Sequence, residues 1–241
     1  MNSYRQSPFA NISPVVKNLL IINGIFYLAT MLFMKNNHSQ LIPLLGVFYF
    51  DSELFRAWQP VTYMFMHSDQ SIAHIMFNMF ALYSFGSALE YIMGSKKFLN
   101  FYLITGLGAL ALQMAIQAFE VHAIVGSFTI DDIRTFQFQS QEDMRTVASI
   151  YLTPMVGASG AIFGVLVAFG LLFPNAELFL LFIPVPIKAK YIIPVYVVIE
   201  LFLGVGQFSG DSVAHFAHLG GALFGFILIK YWRINRPGGF L

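Results

Sequence analysis

Polar and apolar positions along this chain fall into long blocks. Residues 18–34, 70–89, 98–119, 146–176 and 212–229 contain no Asp, Glu, Lys or Arg, and residues 191–210 contain only Glu200. A membrane-crossing helix needs ~20 mostly apolar residues, within a range of ~17–25. The pattern therefore predicts six spanning helices. The fourth block is longer than one span because Thr146–Val156 belongs to the loop before it. The short apolar run 178–187 carries Pro184 and Pro186 and reads as an interfacial connector. The ten-residue alternation of a barrel strand is absent. The fold class expected is all-α: a polytopic six-helix membrane bundle.

Composition agrees with the blocks. The chain is 57% hydrophobic and 10% charged, against about 25% charge in a soluble domain. With 27 Phe it is not a disordered chain. Thirteen basic residues against 12 acidic ones leave no electrostatic footprint for nucleic acid. The absence of Cys excludes a disulfide scaffold, a thiolate zinc site and a cysteine nucleophile.

Orientation follows from the Lys/Arg asymmetry. With the N-terminus cytoplasmic, the inner segments hold Arg5, Lys17, Lys96, Lys97, Lys188, Lys190, Lys230, Arg233 and Arg236. The outer segments hold only Lys35, Arg56, Arg134 and Arg145, and both termini are expected inside. The organisation expected is a cytoplasmic segment 1–14, a membrane domain 15–232 with long outer loops 35–71 and 120–156, and a cytoplasmic tail 233–241. The loop 120–156 reads as a solvated surface excursion, because its charged stretch shows no clear helical stripe. The aromatic clusters of the first loop, Val47–Phe50 and Trp58–Tyr63, suggest that it partly re-enters the interface. The N-terminus lacks the cleavage pattern of a signal peptide.

Polar residues inside spans are costly unless they work or are paired. The second span opens with His74 and Asn78, four residues apart on one face. The fourth opens with Gly157-Ala-Ser159-Gly160, and the sixth carries His215, His218, Gly221 and Gly225. His74 lies five residues past Asp69, Ser159 five past Pro154 and His218 seven past Asp211. At ~1.5 Å per residue these are depths of ~8, ~8 and ~10 Å, so the groups share one level in the outer third of the bilayer. Gly160-x-x-x-Gly164 and Gly221-x-x-x-Gly225 give smooth helix faces for close approach.

This set suits acyl transfer. A serine hydroxyl becomes nucleophilic when a neutral imidazole takes its proton. His74, Asn78 and the backbone N–H of Ser159 can stabilise an oxyanion. No carboxylate is expected beside His218, so the reading is a dyad and not a triad. The blander readings are a packing role for Ser159, an interhelical hydrogen bond for Asn78 and a structural role for His215. His67 is expected to tie the first loop through backbone hydrogen bonds. Glu90 reads as a helix clamp, and Glu200 as a cavity-lining or paired residue. The rivals from other classes are a small transporter or proton channel, which would stagger ionisable groups across the bilayer, and a metal site of His74, His215 and His218. The fifth span, weakened by Pro194, Gly204 and Gly206 and expected to carry no catalytic residue, is the candidate movable wall for lateral substrate entry.

The motifs His74-x-x-x-Asn78, Gly157-Ala-Ser159-Gly160 and Ala217-His218-x-x-Gly221-x-x-x-Gly225 resemble those of the rhomboid intramembrane serine proteases. Weaker matches are Trp58–His67 and Glu90-Tyr-Ile-Met-Gly94, and the resemblance covers roughly residues 15–232. It implies Ser159 as nucleophile, His218 as general base, and His74 and Asn78 as oxyanion stabilisers. Gly157, Phe163, Gly221, Gly225, His67 and Glu90 would support them. It further implies transmembrane protein substrates, no cofactor and no metal. The expected setting is a bacterial inner membrane, with the site open to the outer, periplasmic side. A non-catalytic rhomboid-like binder of transmembrane helices is the alternative within the family. The sequence departs from the family pattern at Gln59, where an Arg often follows the Trp, at Phe163, sometimes Tyr, and in the long third loop.

Overall fold

A computed structural model describes residues 12–35, 38–180, 183–206 and 214–235. Arg5, Asp211 and Arg236, used above for orientation and depth, lie outside the described residues. Among the described residues the seven longer helices are α1 (Pro14–Leu32), α2 (Ile72–Met93), α3 (Ser95–Val125), α4 (Gln141–Leu152), α5 (Ser159–Leu172), α6 (Ala189–Gly206) and α7 (His215–Tyr231). Small antiparallel pairs join Met34–Lys35 (β1) to His38–Ser39 (β2) and Glu177–Leu180 (β3) to Ile183–Lys188 (β4). Among the described residues α1, α2, α3 and α6 are long and apolar enough to cross a membrane. The apolar α5, of 14 residues, and α7, of 17 residues, are shorter. The run 178–187, expected as an interfacial connector, lies in the β3–β4 hairpin, with Leu178 opposite Ile187.

The helix ends follow local chemistry. Pro14 starts α1, where a missing N–H costs nothing. The Glu90 carboxylate takes over the orphan donors there: it accepts from Val15 N at 3.0 Å, Val16 N at 2.9 Å and Ser13 Oγ at 2.5 Å. It also accepts from Ser95 Oγ at 2.6 Å, and so fastens α1 and α3 to the end of α2. Glu90 is the helix clamp its position suggested.

α5 sits at the centre. Gly160, Ala161, Ile162, Phe163, Gly164, Val165, Ala168, Phe169 and Leu172 are all buried, which leaves it no solvent stripe. Around it pack Phe98, Phe101 and Tyr102 of α3, Leu82 and Leu89 of α2, and Leu228 and Ile229 of α7. α5 and α7 approach backbone to backbone: a Cβ at Gly221 would collide with the Gly160 carbonyl, and one at Gly225 would stand 2.7 Å from Gly164 Cα. α6, by contrast, leaves Val195, Val198, Phe202 and Val205 exposed, an apolar face suited to lipid.

The segment 120–156 is not the solvated excursion expected. α3 continues to Val125, and Gln141–Leu152 forms α4 behind a Ser140 cap that accepts from Asp143 N at 3.0 Å. Val147, Ile150 and Tyr151 make a short i, i+3, i+4 stripe, buried with Tyr49 and Val121. Asp51 ties the two long connecting segments together by accepting from Tyr151 Oη at 2.7 Å and Ile130 N at 2.9 Å. Burial, then the Asp51 charge, pushes the Tyr49 phenol up to about 12, so it stays a donor to the Phe128 carbonyl at 2.9 Å. The first loop packs on protein: Tyr63 is buried and donates to Gly106 O at 2.7 Å. Gln59, fully buried, donates to Leu54 O at 3.2 Å and accepts from Arg56 N at 2.9 Å.

Candidate active site

The site begins where α5 begins. Gly157 sits at φ +135°, a conformation L side chains rarely adopt, and its N–H donates to the Tyr63 carbonyl at 3.0 Å. That turn delivers Ser159 as the first residue of α5. Its backbone N–H is therefore among those with no acceptor inside the helix, and its side chain is only half-buried. The point where a Gly157 Cβ would stand is 3.0 Å from His74 Nε2 and 3.4 Å from Ser159 Oγ. The two groups border one small space that only glycine leaves open.

His218, from α7, places Nε2 2.9 Å from Ser159 Oγ. Phe163, one turn below Ser159, stacks on its ring at 4.3 Å with planes 7° apart. The Gly160–Gly221 contact is what lets the serine and the imidazole meet across two helices.

Behind His218 stands a group the sequence reading did not place there. Glu200 Oε2, from α6, lies 2.8 Å from His218 Nδ1 and 2.6 Å from His215 Nδ1, and all three residues are buried. The expectations that no carboxylate stands beside His218 and that the fifth span brings nothing to the site are both corrected. Counted back from Asp211, the marker used for His218, Glu200 is eleven residues along, or ~16 Å at ~1.5 Å per residue. Spacing along the chain therefore does not bring Glu200 level with Ser159; the packing of α6 against α7 does.

The hydrogen bonds assign the ring protons. An ionised carboxylate only accepts, so both Nδ1 atoms facing Glu200 carry hydrogen. This leaves His218 Nε2 bare and able to accept the Ser159 proton. His74 has the opposite tautomer: Ser68 N donates to its Nδ1 at 3.2 Å, so hydrogen resides on Nε2, facing Ser159.

The remaining expected residues fall into place less uniformly. Asn78 Nδ2 donates to the His74 carbonyl at 2.7 Å, a bond within its own helix and not the interhelical one considered. His67 is fully buried and edge-on to His74 at 5.1 Å, and neither ring nitrogen has a hydrogen-bond partner of good geometry. The backbone tie expected of it is reduced to a weak approach to the Phe65 backbone. Glu90 belongs to the α1 clamp, away from this cluster. Gly225 contributes through its contact with Gly164. For a cation, the group at suitable spacing among the described residues is Glu200, His215 and His218, with ligand atoms within 4.8 Å of one another; His74 is not in it. Both carboxylate–imidazole distances are already those of hydrogen bonds.

Comparison with known proteins gives the same grouping. A family model for the Rhomboid domain matches residues 54–234. The chain is 30% identical over 170 residues to the mitochondrial Rhomboid protein 1 of Saccharomyces cerevisiae, covering 70% of this chain and 40% of that one. It is 28% identical over 225 residues to Rhomboid protease AarA of Providencia stuartii, covering 87% of this chain and 69% of that one. It is 31% identical over 186 residues to Rhomboid protease GluP of Bacillus subtilis, covering 76% of this chain and 27% of that one. The match thus spans less than half of the yeast and Bacillus proteins and about two thirds of the Providencia one. This chain is a multi-pass membrane protein of the rhomboid family.

Proposed function

We propose that the protein is an intramembrane serine endopeptidase that cleaves peptide bonds in or near transmembrane segments of other membrane proteins. One observation carries the reading: the 2.9 Å contact between Ser159 Oγ and a His218 Nε2 whose other nitrogen is held by a carboxylate. Ser159 Oγ attacks the scissile carbonyl carbon as its proton passes to His218 Nε2. The resulting oxyanion sits in the space bordered by His74 Nε2–H and the Ser159 backbone N–H, with Asn78 beside them. Collapse breaks the C–N bond, and His218 returns the proton to the departing amine. Water, activated by the same imidazole, then releases the acyl group from Ser159.

Six spans enclose this chemistry, with α5 and α7 as the fourth and sixth and both termini cytoplasmic. The site opens toward the outer face, because hydrolysis needs water at a serine only ~8 Å deep. A bacterial inner membrane suits the AarA and GluP relatives, whereas several others are mitochondrial. The transporter reading loses ground, since Glu200 joins His215 and His218 at one level and Glu90 is occupied as a helix clamp.

The test is reconstitution of the full chain in vesicles with a single-span model substrate. Wild type cleaves it, and Ser159→Ala reduces cleavage below a tenth of wild type while the melting temperature stays within a few degrees. Cleavage by Ser159→Ala at wild-type rate overturns the proposal.

A further inference from the structure

We infer that Glu200 is a positioning residue for the general base, so that the working unit is Ser159–His218–Glu200, with His215 fixing the carboxylate. This rests on the Ser159–His218 reading above and adds a third, charged member to it. A carboxylate buried to 8% exposure in a helix with a lipid-suited face needs strong compensation. Glu200 finds it in two imidazole N–H donors that converge on one oxygen, at 2.6 and 2.8 Å. A role as fastener between α6 and α7 would be met by His215 alone. The second bond goes to the ring that faces the serine, and on the nitrogen opposite that serine.

That placement has two chemical consequences. The Nδ1–H bond holds His218 in the tautomer whose Nε2 lone pair points at Ser159 Oγ; the other tautomer would present N–H to the hydroxyl and could take no proton. When the Ser159 proton arrives, the imidazolium formed lies against a negative oxygen in a poorly screened interior, where that attraction is strong. The proton on Nδ1 stays there, and Glu200 remains ionised throughout. The carboxylate is delivered by α6, whereas the serine and imidazole belong to α5 and α7, so the assembled unit requires all three helices in register. Gly204, one turn further along α6, makes the approach possible, since a Cβ there would stand 3.1 Å from His215 Cβ.

The experiment uses the purified full chain in detergent, with Glu200→Gln and Glu200→Asp. It reads kcat and KM on the model substrate, the fluorophosphonate labelling rate at Ser159, the melting temperature and the effect of a chelator. Glu200→Gln is expected to lower kcat and labelling rate together by up to ~10⁴-fold, the loss seen when a carboxylate is removed from behind a catalytic imidazole, with KM within threefold. Glu200→Asp, which restores charge at shorter reach, recovers part of the loss. Wild type is indifferent to the chelator. Glu200→Gln with kcat and labelling within threefold of wild type overturns the inference while wild-type labelling keeps the protease reading intact. Chelator-sensitive activity overturns it in favour of a bound cation. Absence of Ser159 labelling in wild type overturns both. Should Glu200→Gln not fold, nitrogen NMR of histidine-labelled wild type decides: hydrogen on His218 Nδ1 is the expected tautomer, and hydrogen on Nε2 in its place overturns the inference.

Discussion

Phe163 lies flat against His218, ring centroids 4.3 Å apart and planes 7° apart. Phe163 fixes the face of the imidazole, while Glu200 and Ser159 hold its two edges at 2.8 and 2.9 Å. The ring is confined on one face and both edges by residues from two helices, α5 and α6. A stacked aromatic pair contributes ~0.5–1.5 kcal/mol beyond its buried area, which corresponds to roughly 2–10-fold in rate if it is lost from the reactive arrangement. Phe163→Leu is accordingly expected to slow Ser159 labelling by up to ~10-fold with KM for the model substrate unchanged. An unaltered labelling rate would mean that the ring is held without Phe163.

The two proposed oxyanion donors are not equivalent. His74 carries its N–H toward Ser159, whereas the Asn78 amide already donates to the His74 carbonyl at 2.7 Å. Losing one oxyanion donor costs ~10²–10³ in rate. His74→Ala should reach that range, and Asn78→Ala should cost less. Comparison of kcat for the two variants checks this, and a larger loss in Asn78→Ala would reverse the assignment.

Close helix approach should be visible as stability. A Cβ at Gly221 meets the backbone carbonyl of Gly160, which cannot move aside, while a Cβ at Gly24 meets nothing within 4 Å. Overpacking of this kind costs ~1–3 kcal/mol, or several degrees in a chain of this size. Thermal unfolding in detergent should show Gly221→Ala melting several degrees lower and Gly24→Ala within a degree of wild type. Equal melting of both would mean that α5 and α7 are not in backbone contact.

His67 gives the fold an acid sensitivity. Burial first, then the His74 ring, pushes its imidazole down to about 3 from 6.5, against a smaller opposing contribution from the Phe65 backbone. Between those values the unfolded chain binds a proton that the folded chain refuses. Its contribution to stability is therefore complete above pH 6.5 and is lost progressively as pH falls toward 3. Melting temperature measured from pH 7.5 to 5 should decline in wild type and decline less in His67→Leu. Parallel declines would assign the acid sensitivity to other groups.

Much of this site could be read from the chain because polar residues stand out in apolar blocks. Counting alone puts Ser159, His74 and His218 at a common depth. Glu200 stood out equally but was not connected to His218, because the two are joined by packing of antiparallel helices and not by any spacing along the chain. The end of the third helix is hidden in the sequence for a different reason. Glu120 ends the uncharged block, yet the helix runs on to Val125, since charge marks the edge of an apolar environment and says nothing against helical hydrogen bonds. α4 escaped notice because its stripe is only Val147, Ile150 and Tyr151, too few positions to rise above a charged surrounding.

The most direct measurement of the central claim is reaction of the detergent-solubilised full chain with a fluorophosphonate probe, followed by peptide mapping of the labelled residue. The account predicts a single adduct on Ser159 in wild type, and none on the same peptide in His218→Ala. Modification elsewhere, or labelling of Ser159 that is as fast without His218 as with it, would contradict a serine activated by that imidazole.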